Sequence, residues 1–264
     1  MNILYIGDVM GEMGIVTIEE IIPKLRRDRS IDLVIAQAEN VTDGKGITPN
    51  DFERLLACGV DFCTGGNWTL ARDEIIPQLS DPKVPIIRPA NYPEDTPGLG
   101  YKYAKTTKGQ VLVISLIGHI VGRDADRPTD NPLRIVDQIL KSQIDVERVG
   151  CVVNFHGDYS SEKVVIGHYL DGRVTLVVGD HWHVPTADAR ILPKGTAHVS
   201  DVGMCGALDS SLGVSYDSVI MRWRDGISVK NDLVTKGPRQ FNAIFVSTDD
   251  HGLAKQVEPS QRYL

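Results

Sequence analysis

The sequence lacks the features of exported and membrane-embedded proteins. Its N-terminus, "MNILYIGDVM", has no basic segment followed by a long apolar one, and no apolar run approaches the ~20 residues that a membrane helix needs. Cysteine is scarce, and Cys58, Cys63, Cys151 and Cys205 form neither a C-x-x-C pair nor a dense disulfide framework. We therefore expect a cytoplasmic protein with reduced thiols and no membrane partner.

Linkers, repeats and excess positive charge are also missing. No Ser/Gly/Pro-rich segment divides the 264 residues, which predicts a single domain over 1–264. The net charge of −7 argues against stable nucleic-acid binding through the phosphate backbone. A small phosphate ester stays open as a substrate, because a bound cation reverses the sign of the charge locally. The segment "GDVMGEMG" lacks the G-x-G-x-x-G spacing of a dinucleotide site.

Strands and helices alternate through most of the chain, which predicts an α/β protein with two sheets and helices outside them. The predicted strands are 2–6, 32–38, 60–64, 84–88, 111–117, 150–155 and 174–179. The predicted helices are 15–28, kinked or broken at Pro23, and 49–58, 69–79 and 132–143. After residue 196 the pattern favours strands, in "TAHVSDVG", "DSVIMRW", "GISVK" and "FNAIFVS".

Polar side chains directly follow five of these strands. They are Asp8, Glu39, Asn40, Asn67, His156, His181 and His183. Ligands of open α/β sheets bind at the carboxyl ends of the strands, so we expect these side chains to meet at one edge. Carboxylate, amide and imidazole donors suit Mn, Fe or Zn better than Ca or Mg. Two such metals ~4 Å apart can hold a hydroxide nucleophile and clamp a phosphoryl group.

Each of these residues also has a structural interpretation. Asp8 and Asn67 are residue types that cap helices, and a lone histidine such as His156 is common in a hydrogen-bonded core. The pair of histidines in "GDHWH" (179–183) favours ligation. The shared position after a strand favours the functional interpretation for all of them. His119 follows a strand as well and is a further candidate.

Several stretches carry a family resemblance. They are "IGDVMGEMG", "AENVTDGKGI", "TGGN", "NFHGDYSSEKVVIGHYLDGRV", "VVGDHWHVPTADARILPKGTA" and "DVGMCGALDS". Over about residues 1–215 the chain resembles the YmdB-like family of calcineurin-like dinuclear metallophosphoesterases. The resemblance implies a metallophosphoesterase-like four-layer α-β-β-α sandwich of two mixed sheets. It also implies a homo-oligomer (dimer or tetramer) that hydrolyses a phosphodiester, in particular a 2′,3′- or 3′,5′-cyclic nucleotide, by a metal-bridging hydroxide.

The resemblance also assigns roles to residues. Asp8 and His183, with Asn40 as a further ligand, would hold one metal, and Asn67, His156 and His181 the other. Glu39 would bridge them, and Asn40 is also a candidate catalytic residue. Two divalent or trivalent transition metal ions are implied, with Fe or Mn favoured and Zn as an alternative.

The departures from the family pattern lie around the same site. Trp68 stands where the family has the histidine of "GNH", which would assist the leaving oxygen, and an indole has no titratable proton there. Asn154, Gly157, Asp158, Asp180, Trp182 and Ile15 stand where Asp, Ala, Glu, Thr, Thr and Arg are usual. His119 or Asp158 could supply the proton. Trp68 and Trp182 could stack on a base or another flat group of the substrate.

These departures leave two further hypotheses open. One is a catalytically weak, metal-binding nucleotide sensor or scaffold, and the other is a metal-free structural protein. The intact set of candidate ligands favours the phosphodiesterase.

Overall fold

The apolar runs of the sequence form the strands of two sheets in a computed structural model, which describes residues 1–122 and 125–264. Helices cover their outer faces. The strands are β1 Asn2–Ile6, β2 Asp8–Val9, β3 Leu33–Gln37, β4 Phe62–Thr64, β5 Tyr101–Thr106, β6 Gly109–Ile117, β7 Gly150–His156, β8 Leu176–Asp180, β9 Arg190–Ile191, β10 Ala197–Val199, β11 Met204–Ala207, β12 Arg239–Thr248 and β13 Ala254–Tyr263. The helices are α1 Gly11–Asp28, α2 Pro49–Ala57, α3 Ile76–Ser80, α4 Pro132–Ser142, α5 Ser160–Tyr169 and α6 Tyr216–Asp225.

Both sheets mix parallel and antiparallel pairs. The first has the order β2-β11-β12-β1-β3-β4, with β13 also paired to β12. Its strands β1, β3 and β4 are parallel, and β12 is antiparallel to β1. The second has the order β5-β6-β7-β8-β10-β9, in which β6, β7, β8 and β10 are parallel and the edge strands β5 and β9 are antiparallel to their neighbours.

Three apolar clusters hold four layers together. Ile18 and Ile22 of α1 pack with Val34 and other residues on the outer face of the first sheet. Side chains of both sheets meet between them, as in the cluster that contains Tyr5 and Val152. Helices α4 and α5 cover the second sheet through a third cluster. The predicted four-layer α-β-β-α sandwich of two mixed sheets is therefore confirmed.

Some predicted elements differ from the structure. Residues 84–88, predicted as a strand, make only the isolated bridge between Ile86 and Cys63, since Pro85 has no N–H to donate to a ladder. The predicted helix 69–79 is reduced to a 3-10 turn at Asp73–Ile75 followed by the short α3. Helix α1 begins at Gly11 and continues through Pro23 without a break.

The strand-rich pattern predicted after residue 196 is correct only in part. "TAHVSDVG" and "FNAIFVS" contain β10 and β12, but "DSVIMRW" lies within α6 and "GISVK" lies outside any strand. A short apolar run fits a helix face and a strand equally well, so periodicity could not decide. Strands β5 and β13 and helix α5 were not predicted. In the described ranges no helix is both long and apolar enough to cross a membrane.

Candidate metal centre

The ends of strands from both sheets deliver the candidate ligands to one place. Asp8 opens β2 directly beyond β1, and Glu39 and Asn40 follow β3, while Asn67 follows β4. In the second sheet His156 ends β7, and His181 and His183 follow β8. Six of the seven are buried, with exposed fractions from 0% for Asp8 and His156 to 8% for His183, and His181 is half-buried. The contacts below bring all seven together.

Asp8, Asn40 and His183 form one side of the cluster. The Asn40 amide nitrogen lies 3.2 Å from Asp8 Oδ1 and 3.2 Å from His183 Nε2. His183 Nε2 is 3.7 Å from the same Asp8 oxygen. The main-chain N–H of His181 donates to Asp8 Oδ2 at 3.3 Å and ties the loop after β8 to this side.

Asn67, His156 and His181 form the other side. His156 Nε2 lies 2.7 Å from Asn67 Oδ1 and 3.1 Å from Glu39 Oε1. The rings of His156 and His181 meet edge to face with centroids 4.4 Å apart. Glu39, His156 and His181 each place a donor atom within 4.8 Å of the others, which is close enough for one ion to bind all three.

Glu39 joins the two sides. Its Oε1 faces His156 and also lies 3.5 Å from the Asn40 amide nitrogen, while its Oε2 accepts the main-chain N–H of Trp68 at 2.8 Å. Gly66 allows this approach, because a Cβ there would lie 2.5 Å from Glu39 Oε2 and 2.5 Å from the ring of His156. The close backbone explains the glycine in "TGGN".

The loop after β8 holds its histidines in strained backbone conformations. His181 has φ +104° and His183 has φ +63°, in the region that favours glycine. Each such residue costs on the order of 1–3 kcal/mol, which the surrounding structure must offset. Strain of this kind at adjacent polar side chains is typical of a functional site.

The cluster carries an excess of buried negative charge. Burial, together with Asp180 and Glu39, raises the pKa of Asp8 well above its usual range. Burial opposes ionisation of Glu39 too, but His156 and His181 outweigh it and lower its pKa. Burial would lower the pKa of His156, yet Glu39 and Asp180 raise it above its usual range. A bound cation would compensate these carboxylates.

The donor set fits a transition metal. Burial and the neighbouring His181 lower the pKa of His183 to about 4, so that its imidazole is neutral at neutral pH and can act as a ligand. Its Nδ1 is buried and has no hydrogen-bond partner in the described part of the chain. Imidazole nitrogens mixed with carboxylate and amide oxygens suit Mn, Fe or Zn. The residues present therefore fit the implied metal ions.

His119 lies outside this cluster, at an adjoining cavity. Its side chain is 70% exposed, its Nδ1 lies 2.5 Å from Glu162 Oε1, and its ring stacks on Tyr159 with centroids 5.0 Å apart. The cavity of about 470 Å³ is lined by His119 and Glu162 and also by Asn67 and Arg127. His119 therefore faces a space that reaches a candidate ligand.

The two tryptophans are held by contacts of their own. The Lys45 Nζ lies 3.8 Å from the ring centroid of Trp68. The Lys163 Nζ lies 4.0 Å from the ring centroid of Trp182, and the Trp182 indole N–H donates to the Asp158 main-chain oxygen at 3.1 Å. Neither tryptophan is among the described residues that line the cavity. Their stacking on a substrate remains a prediction.

Two carboxylates behind the ligands have contacts that were not predicted from the sequence, although Asp158 was named as a possible proton donor. Asp180 contacts His156 Nδ1 at 2.6 Å, and Asp158 Oδ2 lies 3.2 Å from His181 Nε2. Asp180 was singled out only as a departure from the family pattern. All five residues of β8 are buried, so alternation along the strand gave no signal for its role.

The fold and the site together define a class, the metallophosphoesterases. A sequence profile described as "YmdB-like protein" matches residues 4–260, and the chain belongs to this family, as the resemblance predicted. The 2′,3′-cyclic-nucleotide 2′-phosphodiesterase of Bacillus subtilis (strain 168) is 38% identical over 252 residues, covering 95% of this chain and 92% of that protein.

Two solved structures share the whole fold. A novel phosphatase from Mycoplasma pneumoniae superposes with a TM-score of 0.91 at 28% identity, covering 100% of this chain and 93% of that one. A hypothetical protein from Thermus thermophilus gives a TM-score of 0.90 at 33% identity, covering 100% of this chain and 99% of that one. The protein is a phosphoesterase, as predicted.

Proposed function

We propose that this phosphoesterase is a metal-dependent phosphodiesterase that acts on a cyclic nucleotide, either 2′,3′ or 3′,5′. The observation that carries the proposal is the convergence of seven donor side chains from both sheets. The activity for which the Bacillus subtilis relative is named supports the substrate class. When bound, two transition metal ions, Fe or Mn in the first place, would supply an activated water and neutralise phosphoryl charge.

The two sides of the cluster divide the ligands. Asp8, Asn40 and His183 would hold one ion, Asn67, His156 and His181 the other, and Glu39 would contribute to both. The contacts of Glu39 Oε1 with His156 and with the Asn40 amide support its placement between them. Asn40, the candidate for a catalytic role, would also orient Asp8 and His183, since its amide lies against both.

The adjoining cavity is suited to the rest of the substrate. Its volume of about 470 Å³ lies within the ~300–1,000 Å³ usual for small-molecule sites. Tyr92 and Phe155 offer aromatic surface in its wall, and the Arg127 guanidinium lies 3.4 Å from the Asn67 main-chain oxygen. A guanidinium at this place would bind a phosphate. It would take over the contact of the family's usual arginine, because this chain has Ile15 at that position.

His119 is the candidate for the proton donor, because Trp68, which stands at the position of the family's histidine, cannot act as one. Its contact with Glu162 through Nδ1 leaves Nε2 to carry the proton. From the cavity wall this nitrogen would protonate the ribose oxygen as it leaves phosphorus. General acid assistance of this kind is typically worth about 10²–10⁴ in rate.

Turnover of three substrates in the presence of Mn²⁺ or Fe²⁺ tests the proposal. We expect hydrolysis of 2′,3′- or 3′,5′-cyclic AMP and of an activated aryl phosphodiester. The variant His119→Gln should slow hydrolysis of the cyclic nucleotide about 10²–10⁴-fold. It should slow hydrolysis of the aryl ester far less, because an aryloxide leaves without a proton. His251→Gln, an exposed histidine in a turn, is the matched control and should leave both rates unchanged.

The sensor or scaffold is the second candidate, favoured by Trp68 and Ile15 at positions of expected catalytic groups. It predicts tight binding of a cyclic nucleotide with no turnover of any of the three substrates. Calorimetric binding beside the kinetic assay separates the two functions. Equal slowing of the aryl ester and the cyclic nucleotide in His119→Gln would contradict the role of His119 while leaving the phosphodiesterase intact.

A further inference from the structure

A buried carboxylate lies directly behind His156, on the side away from the other ligands. Asp180 Oδ1 is 2.6 Å from His156 Nδ1, and both side chains are completely buried. Asn154 donates its amide N–H to Asp180 Oδ2, and the Tyr5 hydroxyl donates to the same oxygen at 3.3 Å. Both oxygens of the carboxylate are thus engaged, and its orientation is fixed.

Strand register explains why one carboxylate reaches both partners. Strands β7 and β8 are parallel, with His156 opposite Asp180 and Asn154 opposite Val178. Residues 154 and 156 are two apart and face the same side of the sheet. Asp180 therefore lies beside His156 and diagonal to Asn154, within reach of both.

The charge of Asp180 is directed to the imidazole. Lys163 is also buried nearby, but it donates to the main-chain oxygen of Asp180, at 2.6 Å, and to the carboxylate of Asp201, at 2.7 Å. The Gln37 amide nitrogen is 3.3 Å from His156 Nδ1 and is neutral. Accepting the proton of Nδ1 keeps the lone pair on Nε2, the nitrogen that faces Asn67 and Glu39.

We infer that Asp180 is the positioning residue of His156. Its carboxylate fixes the ring orientation and the tautomer of the imidazole, and Asn154 holds that carboxylate in place through Asp180 Oδ2. The inference rests on the proposed function only in that His156 holds a metal ion.

Metal affinity tests the inference without any substrate. We would measure Mn²⁺ binding by titration calorimetry for the full chain and for Asp180→Asn, Asn154→Asp and the double variant that carries both changes. Loss of such an outer carboxylate typically weakens metal binding about 10–100-fold, and we expect this for Asp180→Asn. The double variant should recover most of the affinity, since it returns a carboxylate to the same hydrogen-bonded pair, on the face of β7 that carries His156.

Asp137→Asn is the matched control, because it removes a carboxylate of α4 that contacts Tyr169 at the end of α5 and Arg173 in the turn beyond it. It should leave Mn²⁺ binding unchanged. Wild-type affinity in Asp180→Asn, or no recovery in the double variant, including its failure to fold, would overturn the positioning role of Asp180. If Asp180→Asn alone does not fold, recovery in a folded double variant still supports it. Absence of Mn²⁺ binding by the wild-type chain would overturn the inference together with the metal-dependent function.

Discussion

Single residues determine how tightly the cluster can assemble, and Gly66 is the sharpest case. A methyl group at this position would meet both Glu39 and His156 at 2.5 Å. We expect Gly66→Ala to displace one of them at a cost of about 1–3 kcal/mol and to weaken Mn²⁺ binding, measured by calorimetry, by roughly tenfold or more.

Gly226→Ala is the control for this prediction. A Cβ at Gly226 meets nothing within 4 Å, and the backbone strain at φ +68° should lower stability without affecting metal binding. Unchanged affinity in Gly66→Ala would mean that Glu39 and His156 do not ligate as proposed.

The ligand candidates could be proposed from the sequence because their residue types follow apolar strands, a pattern that is local in the chain. Asp180 could not be assigned in this way. Its role depends on the register between β7 and β8, which brings it opposite His156, and no local pattern contains that pairing. Asp158 is similar, because its contact with His181 depends on the loop conformation after β8.

Among the elements, strand β10 carries a buried histidine, His198, that makes the stability of the folded protein depend on pH. His198 is 1% exposed, and its Nδ1 donates to the Val177 main-chain oxygen at 3.2 Å. Burial lowers its pKa, although Asp188 opposes the shift. In the unfolded chain the imidazole takes up a proton near pH ~6.5. Below that pH the unfolded state binds more protons than the folded one, so stability falls as the pH decreases.

The His198→Gln variant removes this contribution. Its free energy of unfolding in urea should decline less than that of the wild type between about pH 7 and pH 5. Arg190 and His168 are nearby charges that remain in both proteins, so the difference in slope reports on His198. His251→Gln should keep the wild-type slope. A variant with the full wild-type decline would show that His198 does not contribute.

Element types were predicted best where length and periodicity agreed. Helix α4 was predicted at 132–143 and spans Pro132–Ser142 in the structure. The prediction succeeded because Pro132 suits a first turn and the apolar face of the helix is regular. Helix α6 was predicted as a strand because its apolar residues form a short run, and Ile220 and Trp223 stay exposed even in the helix. Because little of α6 is buried, its sequence does not show which side of the helix faces the core.

At the scale of the whole molecule, the cluster where the two sheets meet concentrates buried carboxylates whose charges oppose one another. The single domain, the cytoplasmic location and the homo-oligomer expected from the sequence remain predictions. Asp8 is fully buried, and its neighbours Asp180, Glu39 and Asp201 all oppose its ionisation. Bound metal ions would relieve this repulsion. The two halves of the sandwich meet at the cluster, so we expect metal to stabilise the fold as a unit.

Chelation should therefore lower the melting temperature of the protein. A ligand at 100 times its Kd stabilises a fold by about 2.7 kcal/mol, so adding Mn²⁺ to the metal-free chain should raise the melting temperature by several degrees. Without metal, the Asp8→Asn variant should be more stable than the wild type, because a buried charge is removed. With saturating Mn²⁺ it should be less stable than the wild type, because it has lost a ligand. Differential scanning calorimetry with chelator and with Mn²⁺ measures both. Asp137→Asn should respond to Mn²⁺ as the wild type does, and an Asp8→Asn variant that gains as much from Mn²⁺ as the wild type would contradict ligation by Asp8.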